Sequence, residues 1–288
     1  SRTMGTSSLN FRATKGGLGA FVEGVDLSAD VSNSLGQELR QGLGEYGVLF
    51  FRDQDISPEQ HIGFAERVGG VDINRFFQPV AEHPQIAEVR KEPEQKMAVG
   101  ERWHTDHSYD LEPALGSILV ARELPSRGGD TIFANMYAAY EALSDGLKAT
   151  LEGMQAEHST RHNFAKVPKA GEPGASEYVG RLGNQDLAVQ DSVHPVVIKH
   201  PISGRKALYV NAGFTTRFAG WTDAESKPLL DYLYAHAAQP EFTYRFEWEP
   251  GSIAFWDNRA TWHKALNDYH GERRLMHRIT VRGEGLSA

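Results

Sequence analysis

The segment Arg273-Arg-Leu-Met-His-Arg-Ile-Thr-Val281 constrains the fold more than any other stretch. In an extended chain, alternate side chains share a face. Leu275, His277, Ile279 and Val281 then line one face, and Arg274, Met276, Arg278 and Thr280 line the other. At a surface, both arginines would sit in water or in exposed ion pairs. In a strand covered on both faces, two guanidinium groups point inward, as into a barrel. A buried unpaired cation costs several kcal/mol, so each needs an anion. Few Asp or Glu residues are placed to supply one. Ligand carboxylates are the natural partners, because arginine binds them in bidentate fashion. Arg274 and Arg278 stand ~13 Å apart along such a strand, too far for one small dicarboxylate to satisfy both.

The rest of the chain reads as short strands with a few helices. Gly16 to Val25 is glycine-rich without a dinucleotide fingerprint, and reads as a tight strand entry. Leu35, Leu39 and Leu43 mark a helix. Glu45 to Phe51 reads as a strand, and its apolar run Val48 to Phe51 suits burial on both faces. Ser57-Pro-Glu-Gln60 combines an N-cap, a first-turn proline and a capping box, with Phe64 and Val68 as the buried stripe. Strands are expected at Ile86–Val89, Gly116–Arg122, after Gly128-Gly-Asp-Thr131, and at Pro195–Ile198, Leu208–Val210, Phe242–Trp248, Ser252–Trp256 and Leu275–Val281. Lys91 to Arg102 reads as a mobile charged loop. Helices are expected from Asn135, from Ser144-Asp145 with Leu147, Leu151 and Met154 inward, and over Ser226–Gln239. Residues 159–192 carry Gly and Pro without periodicity and read as a lid or insertion. Residues 1–10 read as a flexible start, and Ser1-Arg-Thr before Met4 as an expression remnant. The pattern points to one domain over 1–288, a β-sandwich or barrel flanked by helices.

Chemistry concentrates in Glu101-Arg-Trp-His-Thr-Asp-His-Ser-Tyr-Asp110. His104 and Asp106 share a face if this stretch is extended. A third ligand is available at His263, after a strand and the polar turn Asp257-Asn258. Two imidazoles and one carboxylate leave open positions and suit non-haem Fe(II). Only a fold that closes on itself brings them together. The chain has no cysteine, which excludes disulfides, thiolate zinc sites and iron–sulfur clusters, and it has 12 His. A net charge of −8 without a basic block argues against nucleic acid and anionic membrane surfaces. No apolar run approaches the ~20 residues of a membrane helix. A cytoplasmic protein is expected.

These stretches together resemble one family. Gly47-Val-Leu-Phe-Phe-Arg-Asp-Gln54, Ser57-Pro-Glu-Gln60, Trp103-His-Thr-Asp106, Gly128-Gly-Asp-Thr131, Trp256-Asp-Asn-Arg259 through His263, and Arg273-Arg-Leu-Met-His-Arg278 are similar to the taurine dioxygenase/2,4-D dioxygenase family. The resemblance implies an α+β, mainly β fold: a double-stranded β-helix (jelly-roll, cupin-like) flanked by helices. It implies an Fe(II)- and 2-oxoglutarate-dependent oxygenase that uses O2 and releases succinate and CO2. His104, Asp106 and His263 would ligate iron. Thr131 would hydrogen-bond the distal carboxylate of 2-oxoglutarate, and Arg274 would pair with it. Arg278 matches the arginine that faces an anionic substrate group.

The chain departs from the taurine-specific pattern. Where those enzymes place His, Tyr and Asn, it has Asn74, Phe77 and Gly100. Losing those polar contacts favours a larger, more apolar anion: a sulfonate, alkyl sulfate or aryloxyalkanoate. His107, His277 and the other histidines match no family role and read as packing or surface residues. Two other classes use the same residues: a zinc hydrolase with the same ligands, and a non-catalytic ligand-binding member of the fold. The former leaves Thr131 and Arg274 unexplained; loss of a metal ligand would favour the latter, and none is missing. A homo-oligomer, dimer or tetramer, is expected.

Overall fold

The computed structural model describes residues 9–74, 76–162, 171–173, 175–178, 181 and 189–288. Among them a nine-stranded sheet runs in the order Asn10–Ala13, Ala20–Glu23, Val48–Phe51, Ile253–Asp257, Gly116–Glu123, Arg274–Val281, His83–Lys91, Pro79–Val80. Val71–Asp72 also pairs with Arg274–Val281. Ala20–Glu23 and Val48–Phe51 run parallel, and the other pairs are antiparallel. A smaller sheet holds Thr243–Phe246, Thr131–Asn135 and Thr261–Ala265, with Thr131–Asn135 in the middle.

Alternation divides the residues of the large sheet between two cores. Leu49, Phe51, Ile118, Ile253, Phe255, Ile279 and Val281 pack under the helices Asn33–Tyr46 and Pro58–Val68, against Leu39, Leu43, Phe64 and Val68. Val48, Phe50, Leu119, Ala254, Trp256 and Met276 face the other way, against Phe133 and Phe246 of the smaller sheet. Phe50 and Phe246 stack with centroids 4.2 Å apart. Fully burying such a side chain contributes roughly 1.5–3 kcal/mol. This double coverage is why Val48–Phe51 is apolar without alternating. A third core joins the helices Met136–Glu141 and Asp223–Ala237 to the hairpin Val197–Lys199/Lys206–Leu208.

The helix starts follow their caps. Ser57 and Gln60 form the reciprocal capping box. Asn135 and Ser144 cap the two helices expected there. Several boundaries differ from expectation. Glu45 and Tyr46 belong to the helix Asn33–Tyr46, which stops at Gly47. Gly47 has φ +79°, a conformation that costs a residue with Cβ, so the chain turns there directly into the strand. Met154 lies past the end of Asp145–Leu151. The last long helix begins at Asp223, because Thr222 and Glu225 form a capping box. Pro240–Phe242 is a 3-10 turn, which delays the next strand to Thr243. Asn10 is not loose but paired with Glu23. Residues 1–8, and 163–170, 174, 179–180 and 182–188 of the expected lid, lie outside the described residues. No helix of the described residues is long and apolar enough to cross a membrane.

Two imidazoles are sealed inside this fold. His61 faces Ile118 O at 3.0 Å, and His158 faces Ser108 Oγ at 3.0 Å. Burial lowers both to about 3. The unfolded chain takes up these protons near pH 6.5 and the folded chain does not. Stability is therefore expected to fall as pH drops below about 6.5, by up to ~1.4 kcal/mol per pH unit for each ring. Urea midpoints at pH 7.5, 6.5 and 5.5 measure this, and a midpoint constant over that range contradicts it.

Candidate active site

His104 and His263 meet through the backbone. His263 lies in Thr261–Ala265, and its N–H donates to His104 O at 2.9 Å while His104 N–H donates to His263 O at 3.2 Å. This antiparallel bridge sets the two rings 4.3 Å apart. Asp106 reaches both: Oδ1 is 3.2 Å from His104 Nε2, and Oδ2 is 3.6 Å from His263 Nε2. One donor atom from each of the three lies within 4.8 Å of the others.

Supporting contacts hold the donors in place. His104 Nδ1 lies 2.7 Å from Arg102 O, so Nδ1 carries the proton and Nε2 keeps its lone pair. Gly213 lies flat against His104, and a Cβ there would come within 2.7 Å of His104 Cβ. Thr105 Oγ1 donates to Asn258 O at 2.6 Å, tying the ligand stretch to the turn before His263. That turn is braced by a buried cluster in which Asp257 binds both Arg259 and His200.

Burial pushes the Asp106 carboxyl up, but His263, Arg278 and His104 together outweigh it and hold it well below the usual carboxylate range. Burial, with His104 alongside, lowers His263 to about 3 despite the facing carboxylate. The site thus presents one carboxylate and an imidazole that burial keeps neutral. Asp106 Oδ2 is buried without a hydrogen-bond partner. A buried carboxylate with one orphaned oxygen, set between the ring nitrogens of His104 and His263, fits a divalent cation, and this donor set suits non-haem Fe(II).

The two arginines expected to point inward do so. Arg274 and Arg278 are 6% and 7% exposed, on the strand face opposite Leu275 and His277. Arg274 donates to Gly129 O at 3.3 Å, and no carboxylate of the described residues lies in ion-pair range. Its Nε has no partner, and burial pushes its pKa down. Thr131 Oγ1 accepts from Trp248 Nε1 at 3.0 Å, which leaves its own proton to donate. Trp248 also lies under Arg274, 5.8 Å from its ring centroid; nothing in its sequence context signalled this. Arg278 meets a protein carboxylate at long range. Its Nη1 lies 3.6 Å from Asp106 Oδ2, and its guanidinium sits 4.7 Å over the Phe77 ring. Its protein partner is thus the Asp106 carboxylate at long range, and its Nε has no partner among the described residues.

His104, Asp106, His263, Thr131, Arg274 and Arg278 line one cavity of about 710 Å³. Asn74, Phe77 and Gly100 line it too. Asn74 Oδ1 is already used by the amides of Phe76 and Phe77. Tyr109 and Phe214 add an aromatic surface beside Phe77, with ring centroids 4.8 Å apart. The Lys91–Arg102 stretch is more tied down than its charge suggests. Lys91 is buried and ends a strand, and the Glu177 carboxylate accepts from the amides of Lys96 and Met97. His107 also lines the cavity, contrary to its reading as a packing residue.

The family model for "Taurine catabolism dioxygenase TauD, TfdA family" matches residues 10–280. The chain belongs to that family. It is 35% identical over 287 residues to an alkylsulfatase of Acinetobacter baylyi, covering 97% of this chain and 86% of that protein. It is 34% identical over 283 residues to an alpha-ketoglutarate-dependent sulfate ester dioxygenase of Pseudomonas putida, covering 96% and 90%. Among solved structures, a taurine dioxygenase from Burkholderia xenovorans aligns with a TM-score of 0.80 at 33% identity, covering 98% of this chain and 91% of that one. This member of the TauD/TfdA family is a 2-oxoglutarate-dependent dioxygenase whose cofactors are Fe(II), 2-oxoglutarate (alpha-ketoglutarate) and O2.

Proposed function

We propose that this dioxygenase oxidises a C–H bond of a small organic anion with an apolar body, of the alkyl sulfate, sulfonate or aryloxyalkanoate class. The observation that carries the reading is the placement of an unpaired buried guanidinium, Arg274, in the same cavity as the His104/Asp106/His263 cluster. In this reading those three residues hold Fe(II). Bound there, it supplies the O2 chemistry that consumes 2-oxoglutarate and yields succinate and CO2.

The chain's own residues bind and orient. Arg274 pairs with the distal carboxylate of 2-oxoglutarate, and Thr131 donates its hydroxyl proton to it. Phe77, Tyr109 and Phe214 exclude water and pack the apolar body of the substrate, with Asn74 at the same wall. The double-stranded β-helix belongs to this reading. The large sheet contributes Arg274 and Arg278, the small sheet contributes Thr131 and His263, and the cavity lies between. So do the single domain over 1–288 and a lid within 159–192. Supporting the lid, Arg181 donates to Met97 O at 2.8 Å and Glu177 accepts from the same rim stretch. Substrate names carried by the two sulfate-ester relatives favour an alkyl sulfate.

The test is succinate formation and 14CO2 release from labelled 2-oxoglutarate, with Fe(II) and a panel of these anions. Turnover with Zn(II) alone, or no turnover with any of them, refutes it. Arg278 is assigned to the substrate anion, which displaces its weak contact with Asp106. Wild type is expected to prefer an anion over its neutral methyl ester by about 30-fold or more, and Arg278→Ala to lose most of that preference. A mutant that discriminates as well as wild type makes Arg278 a structural partner of Asp106.

A further inference from the structure

We propose that His107 contacts the primary substrate and selects for a hydrogen-bond donor on it, a hydroxyl or an N–H. This rests on reading the cavity as the place where an organic anion is oxidised. In a continued strand, His107 would share the outward face with Thr105, which does not line the cavity. Instead, His107 adopts φ +66°. A residue with Cβ rarely takes this left-handed conformation, and it does so at sites that need it. The other non-glycine residues with positive φ among the described residues, Asp53 and Glu82, do not line the cavity. At His107 the turn breaks the alternation, and His107 lines the cavity together with His104 and Asp106.

The ring is also oriented. Nδ1 lies 3.3 Å from Asp110 Oδ2. A carboxylate only accepts, so Nδ1 carries the proton, and in the neutral ring Nε2 offers a lone pair. No hydrogen bond of the described residues uses Nε2. Asp110 is held in turn: its N–H donates to His107 O at 2.9 Å, and its carbonyl faces His194 Nε2 at 2.8 Å. Asp110 and His194 are positioning residues for this ring. Packing alone asks for none of it, since the neighbouring Tyr109 and Phe214 already build an aromatic wall. An imidazole 5% exposed, turned inward against its strand and fixed by a carboxylate, leaves one acceptor for whatever fills the cavity.

The test is calorimetric binding to protein loaded with Fe(II) and 2-oxoglutarate in the absence of O2. The probes are hexyl sulfate and hexyl sulfates bearing one hydroxyl at each carbon in turn. Wild type is expected to bind at least one hydroxylated probe about tenfold more tightly than hexyl sulfate. His107→Asn tolerates positive φ but is too short to reach, and should lose that preference. Its affinity for 2-oxoglutarate should stay within about twofold of wild type, which also shows that it folds. His107→Gln, with a longer acceptor, should recover part of the preference. Equal binding of all probes by wild type, or a preference that survives in His107→Asn, overturns the proposal. If wild type binds 2-oxoglutarate but no hexyl sulfate of either kind, the alkyl sulfate reading fails, and this inference falls with it.

Discussion

His263→Ala and His104→Ala are each expected to lose iron, with affinity down by at least ~100-fold and turnover undetectable. Even partners that only orient a metal ligand cost 10–100-fold in affinity, and these two side chains supply the donor atoms themselves. The backbone bridge between His104 and His263 uses only main-chain groups, so either alanine should leave the pairing intact. The loss should therefore be of binding rather than of folding. Metal content after dialysis, with circular dichroism as a folding check, measures both. Wild-type iron stoichiometry and affinity in the two variants would refute the ligand assignment.

Arg274→Met is expected to act in opposite directions on function and stability. The guanidinium is buried, donates only to Gly129 O, and has no carboxylate in ion-pair range among the described residues. Removing one partner of a buried charge pair typically costs ~2–5 kcal/mol of binding, so half-saturation by 2-oxoglutarate should rise about 30-fold or more. Without cosubstrate the same cation is uncompensated, and a neutral side chain of similar length should raise the melting temperature. Adding 2-oxoglutarate should stabilise wild type and not the variant. Steady-state titration and thermal melts with and without 2-oxoglutarate test this. An unaltered half-saturation value, or equal stabilisation of both proteins, contradicts the assigned role.

Much of the molecule was determined by sequence alone, wherever the decisive interactions span a few residues. The capping box of Ser57 and Gln60, the caps at Asn135 and Ser144, and the apolar run Val48–Phe51 are local, and each appears where the pattern put it. The alternation of Arg274–Val281 likewise determined that two arginines share a face with Met276. Boundaries slipped where a nearby competitor decided. Gly47 ended a helix beyond the leucine stripe, and the Thr222 cap began one earlier.

Tertiary structure alone decided what those faces meet. Pattern put His104 and Asp106 side by side, but only the isolated backbone bridge between His104 and His263 brings the third ligand to them. Alternation turned Arg278 inward without saying that Asp106 Oδ2 would lie 3.6 Å away, or that Phe77 would lie beneath it. His107 read as a packing or surface residue because it matches no family role, and a left-handed dihedral places it among the residues that line the cavity. The reason is common to all three. Side-chain periodicity is a property of the local backbone. Long-range pairing and a strained φ are held in place by the whole of the packed chain, and no short window of sequence contains it.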